Sequence, residues 1–260
     1  MSTVQGSWIW YELMSADPQA SKVFYERVVG WSMTTGHNGD PDYGFISNSD
    51  GAMTGGVLRL TPERQRLGAR PCWLGYIGVD SVDRSLAAIE AAGGKTVMPA
   101  RDVEMAGRIA MVTDCCGAPF YIMTPAPPPG GGESTAFSPT TLGRCGWNEL
   151  LAASADQAVA FYTGLFGWSL PEPMDMGPMG KYHFIAHDTV QVGAIMQKPE
   201  QVPAAGWNHY FCVASIAAAK LAAEAGGGQI INGPMEVPGG GWIVQGIDPQ
   251  GAMFSLVGGQ

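Results

Sequence analysis

The sequence predicts an α+β fold made of four βαβββ units, two in each half of a 260-residue chain. Three observations predict it. The two halves repeat one another, and each half contains two successions of an alternating strand, an amphipathic helix and short strands. A segment rich in proline and glycine separates the halves. A chain of this length can form two ordinary domains, each with its own core.

The repeat is visible as matching short motifs. Trp10-Tyr-Glu-Leu13 returns as Trp147-Asn-Glu-Leu150, Phe24-Tyr25 as Phe161-Tyr162, and Gly30-Trp31 as Gly167-Trp168. These pairs share one offset, since 147 − 10, 161 − 24 and 168 − 31 all give 137. Trp73-x-x-Tyr76 returns as Trp207-x-x-Tyr210 and Asp114-x-x-Gly117-Ala118 as Asp248-x-x-Gly251-Ala252, where 207 − 73 and 248 − 114 give 134. A gene duplication explains these matches.

The duplication predicts the domain boundaries. We expect domain 1 at residues 1–124 and domain 2 at residues 143–260. Between them, residues 125–142 contain runs of proline and glycine, which favour a linker over a core element.

The first unit of the first half begins with residues 8–14, which alternate as a strand. Asp17-Pro18 predicts a helix start, with a capping carboxylate followed by proline at the first helical position. Its buried face is predicted to carry Ala20, Val23, Phe24 and Val28. Gly30 ends this helix, and strands are expected at 31–35, 43–47 and 53–60.

The second unit repeats this order. Residues 73–79 predict a strand, and Asp80-Ser81 caps a helix whose buried face carries Val82, Leu86 and Ile89. Gly93-Gly94 ends the helix, and strands are expected at 95–98, 108–113 and 119–123. The second half of the chain follows the same plan.

Composition excludes several classes of function. The formal net charge is −9 and there is no basic run, so we expect no nucleic-acid partner. We also expect no membrane partner, because no apolar stretch approaches about 20 residues. The five cysteines form no Cys-x-x-Cys pair. Reduced thiols and the lack of a signal-peptide pattern predict a cytoplasmic protein. The expected partner is a small molecule, and the oligomeric state is left open between monomer and homodimer.

These motifs in this order resemble the vicinal oxygen chelate superfamily of glyoxalase, bleomycin-resistance and extradiol-dioxygenase domains. The helix start at Val79-Asp-Ser-Val-Asp83 and the turn Asp248-Pro-Gln-Gly-Ala252 fit the same family. The likeness covers nearly all of the chain outside the linker and is greatest to tandem, two-domain glyoxalase-like proteins. It implies two glyoxalase-like domains, each a curved mixed sheet that encloses a cleft, with helices outside.

The resemblance also implies where a divalent metal would be held, by His, Glu or Gln on the first and last strands. The corresponding positions of this chain carry Trp10, Trp147, Leu74, Asn208, Tyr121 and Ser255. The remaining ligand position of each site lies within residues 52–60 in the first half or residues 190–197 in the second half. Neither stretch contains Asp, Glu or His. Indole, isobutyl and phenol groups are not suitable ligands. We therefore expect no metal ligands and no cofactor.

The four histidines do not predict a replacement site. His183 and His187 are four residues apart on one strand, so their side chains should be roughly 13 Å apart. His209 should face away from Asn208, and His37 lies in a polar loop. A rearranged site through His209 and Asn208 is the weaker alternative.

Alternation along the strands selects the residues that would line the clefts. Glu12 shares a face with Trp10, and Glu149 with Trp147. The predicted substrate-binding residues are Trp10, Leu74, Tyr76, Tyr121, Trp147, Asn208 and Tyr210. An inward Glu12 or Glu149 should have a pKa raised by desolvation, as a general base requires. The alternative is that the aromatic residues are core and that each glutamate caps a backbone group or pairs with an arginine such as Arg108 or Arg144.

Three functions follow, and the sequence leaves open whether the protein is an enzyme. The first is metal-independent binding of a small, mostly apolar or aromatic molecule, as in bleomycin-resistance proteins. The second is an isomerase, cyclase or lyase that uses Glu12 or Glu149 as general base. The third and weakest is a metal-dependent glyoxalase or dioxygenase with non-standard ligands. Cys115-Cys116 is interpreted as a turn variant and not as a nucleophile.

Overall fold

The βαβββ order occurs four times, as predicted. A computed structural model of the protein describes residues 4–37, 40–126 and 132–260. We call the four repeats modules 1 to 4, at residues 8–59, 72–125, 145–197 and 206–259. Modules 1 and 2 form copy 1, and modules 3 and 4 form copy 2.

In the described residues of copy 1 there are eight strands and three helices. Module 1 consists of β1 (Trp8–Ser15), α1 (Pro18–Val28), β2 (Ser32–Met33), β3 (Tyr43–Ser47) and β4 (Met53–Arg59). Helix α2 (Pro62–Arg66) connects it to module 2, which consists of β5 (Cys72–Gly78), α3 (Val82–Ala91), β6 (Lys95–Val103), β7 (Gly107–Thr113) and β8 (Pro119–Pro125).

Copy 2 repeats this arrangement. Module 3 consists of β9 (Cys145–Ala152), α4 (Ala155–Phe166), β10 (Met174–Asp175), a 3-10 turn (Gly177–Met179), β11 (Lys181–His187) and β12 (Val190–Gln197). Module 4 consists of β13 (Gly206–Ser215), α5 (Ile216–Ala225), β14 (Gln229–Val237), β15 (Gly241–Ile247) and β16 (Met253–Gly259).

Each copy forms one mixed eight-stranded sheet, which confirms the α+β class. The strand orders are β2-β3-β4-β1-β5-β8-β7-β6 and β10-β11-β12-β9-β13-β16-β15-β14. The first and last strands of a module pair in parallel, as Glu12 with Gly56 and Tyr210 with Ser255 show. The hairpins within modules are antiparallel.

The predicted caps start the helices. The Asp17 carboxylate accepts hydrogen bonds from the backbone N–H groups of Gln19 and Ala20, both at 3.1 Å. Ser81 caps α3 through the backbone N–H of Arg84. Gly30 has a φ of +86°, a left-handed conformation that suits glycine beyond a helix end.

The predicted buried face of α1 was partly wrong. Val23 is 45% exposed, whereas the buried residues are Pro18, Ser21, Phe24, Tyr25 and Val28. The buried face of α1 is therefore shifted around the helix axis toward Tyr25. The Tyr25 hydroxyl has buried polar partners, and a count of apolar residues does not detect these. The strand expected at 31–35 is only Ser32–Met33, and the strand expected at 95–98 continues to Val103.

Helix α2 was not predicted. It follows Thr61, whose hydroxyl accepts a hydrogen bond from the backbone N–H of Arg64. Five residues without a buried side chain give no apolar period to detect. The predicted linker at 125–142 includes residues 127–131, which lie outside the described chain, and its boundaries stay a prediction. Nearer to copy 2, Phe137 forms a bridge with Cys145 at the start of β9.

The described chain divides into two compact units, and both contain parts of both copies. Unit 1 comprises residues 4–9, 75–126, 132–134 and 148–207. Unit 2 comprises residues 10–37, 40–74, 135–147 and 208–260. Unit 2 therefore combines most of module 1 with module 4, and unit 1 combines module 2 with module 3.

The core of unit 2 uses the repeated motifs of both copies. The Trp73 indole donates to the Tyr25 hydroxyl at 3.0 Å, and that hydroxyl donates to Asp248 at 3.0 Å. Asp248 also accepts hydrogen bonds from the backbone N–H groups of Gln250 and Ala252 in the turn before β16. Burial, followed by the nearby Asp248 charge, raises the pKa of Tyr25 well above its ordinary value, so it remains a donor.

Unit 1 repeats this network with the roles of the copies exchanged. The Trp207 indole donates to the Tyr162 hydroxyl at 2.9 Å, and Tyr162 donates to Asp114 at 3.4 Å. Trp168 stacks on Tyr162 with ring centroids 5.5 Å apart. The matches that revealed the duplication therefore lie mainly in two cores, each of which needs residues from both copies.

Within residues 4–37, 40–126 and 132–260, no helix has both the length and the apolar character that a membrane crossing demands.

Candidate functional site

The face of β1 that carries Trp10 and Glu12 follows from the surroundings of Tyr11. In unit 2 the Tyr11 ring packs against His209 and Phe211, with centroids 5.0 and 5.7 Å away. Phe211 in turn contacts Trp31, next to α1. Because side chains alternate along a strand, Trp10 and Glu12 lie on the opposite face of β1.

Module 1 carries an aromatic cluster around Trp10 on this face. The Trp10 indole donates to the Tyr43 hydroxyl at 3.0 Å. Phe45 meets Trp10 and Tyr43 edge to face, with centroids 6.2 and 5.7 Å apart. Gly56 makes room for this arrangement, because a Cβ atom there would collide with the Tyr43 hydroxyl. We call Trp10, Tyr43 and Phe45 the module 1 aromatic cluster.

Glu12 belongs to the same row of the sheet. It pairs with Gly56, which pairs with Phe45 on β3. Its side chain is only 2% exposed. Burial, followed by the Glu12 charge, raises the pKa of the Cys72 thiol to about 12, so Cys72 is a neutral neighbour of the carboxylate.

Module 3 repeats the cluster with a different hydrogen bond. The Tyr182 hydroxyl donates to the Glu149 carboxylate at 2.9 Å, and Phe184 meets Tyr182 edge to face at 5.4 Å. Glu149 pairs with Ala194, the equivalent of Gly56, which pairs with Phe184. The carboxylate is therefore oriented by a phenol.

Sequence reasoning missed the tyrosine and phenylalanine of both clusters. A signal was present, since Tyr43-Gly-Phe-Ile46 returns as Tyr182-His-Phe-Ile185, where 182 − 43 gives an offset of 139. It was weak because β3 and β11 are short and this offset differs from 137.

Modules 2 and 4 carry the other tyrosines. In unit 1, Tyr76 and Tyr121 stack with centroids 4.2 Å apart and planes 12° apart, and both are buried. In unit 2, the Gln245 amide donates to the Tyr210 hydroxyl at 2.8 Å, and the Asn232 amide donates to the Gln245 carbonyl at 2.9 Å.

The predicted site residues are divided between the units. Unit 1 contains Tyr76, Tyr121 and Glu149; unit 2 contains Trp10, Glu12, Leu74, Trp147, Asn208 and Tyr210. Leu74 is buried, whereas Trp147 and Asn208 are half-buried. The unit boundary crosses β9 between Trp147 and Glu149, which belong to different units despite being two residues apart.

The family is decided by comparison with known proteins. A model of the Glyoxalase/Bleomycin resistance protein/Dioxygenase superfamily matches residues 9–122 and again residues 142–256. The chain belongs to this superfamily.

Two superfamily relatives match over nearly their whole length. "Putative glyoxylase CFP32" of Mycobacterium bovis is 31% identical over 261 residues, covering 97% of this chain and 95% of the relative. "Anthracycline biosynthesis protein DnrV" of Streptomyces peucetius is 29% identical over 266 residues, covering 97% and 93%.

Solved superfamily structures share the fold. The Mn(II)-bound glyoxalase from Novosphingobium aromaticivorans matches with a TM-score of 0.66 and 17% identity, covering 98% of this chain and 82% of that one. A variant of homoprotocatechuate 2,3-dioxygenase from B. fuscum matches with a TM-score of 0.67 and 14% identity, covering 97% and 71%.

The residues at the superfamily's metal positions do not fit a metal ion. The Trp10 ring nitrogen carries a hydrogen atom and donates a hydrogen bond to the Tyr43 hydroxyl, so it has no lone pair to offer a metal ion. Tyr121 is stacked on Tyr76. In the part of the chain that the structure describes, no three His, Cys, Asp or Glu side chains are grouped so that they could hold an ion.

The histidines have other surroundings. His209 is 3% exposed beside Tyr11, and burial lowers its pKa to about 3. The His187 ring lies 2.9 Å from the backbone oxygen of Gln5. His37 is exposed, as expected, and its ring contacts Phe45.

The two arginines named as possible partners of the glutamates pair with aspartates. Arg144 pairs with Asp50 at 2.8 Å, and Arg108 pairs with Asp83 and Asp102 at 2.9 and 3.1 Å. Asp50 lies in the turn between β3 and β4, Asp83 on α3 and Asp102 on β6.

Cys115 and Cys116 lie in the turn between β7 and β8, as predicted. The Asp114 carboxylate accepts a hydrogen bond from the backbone N–H of Cys116 and fixes the turn. Burial and the Cys116 thiol, 3.6 Å away, raise the pKa of Cys115 to about 12. Cys115 is thus a neutral thiol at physiological pH, which is unsuited to nucleophilic catalysis.

Proposed function

We propose that the protein binds a small, mostly apolar or aromatic molecule without a metal ion. The observation that supports this most directly is the replacement of metal-ligand types by side chains that pack and hydrogen-bond among themselves. Trp10 donates to Tyr43, and Tyr121 stacks on Tyr76. An ion would gain no anionic or imidazole ligand from these groups.

The aromatic clusters suit a flat ligand. Indole and phenol rings offer large apolar areas that lose little conformational entropy on binding, and edge-to-face contacts stabilise an added ring. Phe45 already makes two such contacts within the module 1 aromatic cluster. The name of the Streptomyces relative, which refers to anthracycline biosynthesis, supports a ligand with fused aromatic rings.

The first test is a binding measurement with naphthalene and 2,7-dihydroxynaphthalene as probes. Ligand-detected NMR should show saturation transfer to at least one probe at micromolar to millimolar concentration. Replacing Trp10 by Leu should weaken binding several-fold, because it removes an indole face of the cluster. The matched control is Leu221→Ala on α5, a side chain that is 67% exposed. No transfer from either probe at millimolar concentration would contradict the proposal.

The contact between Tyr182 and Glu149 favours a second candidate, an isomerase, cyclase or lyase. A carboxylate held by a phenol hydroxyl has a defined orientation, which proton transfer requires. On this hypothesis, Glu149→Gln should abolish turnover of a bound substrate while leaving its affinity nearly unchanged. Glu12→Gln is the matched variant in the other copy, and retained turnover in both variants would eliminate the enzyme hypothesis.

A further inference from the structure

Two rows of side chains, one in each copy, occupy equivalent places but differ in chemistry. In module 2, Tyr76 pairs with Tyr121, Tyr121 with Met111, and Met111 with Met98. We call these four residues the apolar row. In module 4 the same pairings produce the polar row, which consists of Tyr210, Ser255, Gln245 and Asn232. Every member of the polar row follows its counterpart at one offset, since 210 − 76, 255 − 121, 245 − 111 and 232 − 98 all give 134.

Each row lies within one compact unit, the apolar row in unit 1 and the polar row in unit 2. Directly paired residues of neighbouring strands share a sheet face, so each row presents one continuous strip. Both strips are buried at the tyrosine end. At the outer strand Met98 is half-buried and Asn232 is exposed, so both strips become more accessible toward that end.

Ser255 makes the polar network geometrically feasible. Tyr210 and Gln245 are on strands separated by β16, which places their backbones about 10 Å apart. The small serine between them leaves room, and the Gln245 amide reaches the Tyr210 hydroxyl at 2.8 Å. In module 2 the equivalent position holds Tyr121, whose ring fills that space and stacks on Tyr76.

Three of the four positions differ between the rows, all in the same direction, while the tyrosine is retained. Phenol, thioether and thioether side chains in module 2 correspond to hydroxyl, amide and amide side chains in module 4. The Gln245 side chain accepts a hydrogen bond from Asn232 and donates one to Tyr210, so its amide is oriented. An oriented amide favours a ligand that forms hydrogen bonds with it. A ligand that covers the amide without forming hydrogen bonds binds more weakly, because a buried polar group is then left unpaired.

We propose that the two units recognise ligands of different chemistry, each through the row that it contains. The apolar row binds an unsubstituted aromatic face, and the polar row binds an aromatic molecule that carries hydroxyl or carbonyl groups. This inference rests on the proposed function and assigns a ligand class to each unit.

The test uses two probes with the same ring system, naphthalene and 2,7-dihydroxynaphthalene, and the full chain. Methyl NMR of Met98 and Met111 reports on the apolar row, and side-chain amide NMR of Gln245 and Asn232 reports on the polar row. Naphthalene should shift the methionine methyl signals at lower concentration than the amide signals. Dihydroxynaphthalene should do the opposite.

Reciprocal variants provide the matched control. Gln245→Met installs the residue that copy 1 uses, and it should weaken dihydroxynaphthalene binding at the polar row about 10-fold. Met111→Gln should weaken naphthalene binding at the apolar row and leave the polar row unchanged. If both probes shift both sets of signals at equal concentrations and neither variant alters this, the inference fails while the proposed function stands. If neither probe shifts any signal at millimolar concentration, the proposed function itself fails.

Discussion

At the scale of single residues, the most consequential feature is a buried Trp–Tyr–Asp network that occurs twice. Tyr25 links Trp73 to Asp248, and Tyr162 links Trp207 to Asp114. Both tyrosines are fully buried, and their hydroxyl groups connect a helix of one copy to a turn of the other. Burial raises the pKa of Asp248 because it disfavours the charged carboxylate, and the hydrogen bond from Tyr25 opposes that rise.

Removal of either hydroxyl should therefore destabilise the fold. We predict that Tyr25→Phe lowers the free energy of unfolding by about 1–3 kcal/mol, because Trp73 and Asp248 lose a buried partner. Tyr162→Phe is the matched variant and should cost less, because its bond to Asp114 is longer, 3.4 against 3.0 Å. Urea denaturation followed by tryptophan fluorescence measures both; an equal or reversed order would contradict the geometry.

His209 should make stability depend on pH. Burial lowers its pKa to about 3, whereas an unfolded histidine titrates near 6.5. As the pH falls, the unfolded state therefore binds the proton first. The free energy of unfolding has its full contribution from His209 above about pH 6.5. This contribution decreases as the pH falls toward 3, by up to about 1.4 kcal/mol per pH unit.

The variant His209→Phe should lack most of this slope in urea titrations at pH 7, 6 and 5. Tyr11→Phe alters the neighbouring ring but retains the histidine, so it should keep the slope. A wild-type slope in His209→Phe would show that His209 is not the group responsible.

At the scale of elements, the position of Tyr43 depends on a glycine in the neighbouring strand. Gly56 lies beneath the Tyr43 ring, and the equivalent residue of copy 2 is Ala194. We predict that Gly56→Ala displaces Tyr43 from Trp10 and weakens binding of an aromatic probe several-fold. Ala194→Gly is the matched control and should leave that binding unchanged. Retained hydrogen bonding of the Trp10 indole in Gly56→Ala, seen by its N–H chemical shift, would contradict this role.

The order of helices and strands could be predicted from the sequence because the patterns that indicate them are local. Asp17-Pro18, Ser81 and the alternation in β1 each specify a start or a period within a few residues. The site could be predicted only in part. Trp10 and Glu12 follow from alternation along one strand, but their neighbours Tyr43 and Phe45 depend on the pairing of β1, β4 and β3. That register is non-local, and a single sequence does not show it.

At the scale of the whole molecule, the two copies depend on one another. Unit 2 needs Tyr25 from copy 1 and Asp248 from copy 2, and unit 1 needs Asp114 and Tyr162. The repeat predicted two domains in sequence order, but sequence matching cannot show which modules pack together. Each unit combines modules of both copies through contacts between distant parts of the chain, since Tyr25 and Asp248 are separated by 223 residues.

This dependence predicts the behaviour of half-chains. Residues 1–126 or 142–260 expressed alone should not fold as a stable monomer, because each lacks one residue of one Trp–Tyr–Asp network and two residues of the other. Mixing the halves should restore a cooperative transition by circular dichroism. A monomeric half-chain with a cooperative transition, shown by light scattering, would contradict the dependence.

We propose ligand binding that depends on aromatic side chains and on no metal ion. The most direct measurement is calorimetric titration of 2,7-dihydroxynaphthalene into protein treated with a chelator, repeated after addition of Mn²⁺ or Fe²⁺. We expect the same affinity in all three conditions and weaker binding in both Trp10→Leu and Gln245→Met. Binding that disappears with the chelator and returns with one equivalent of metal would show that the ligand binds through a metal ion.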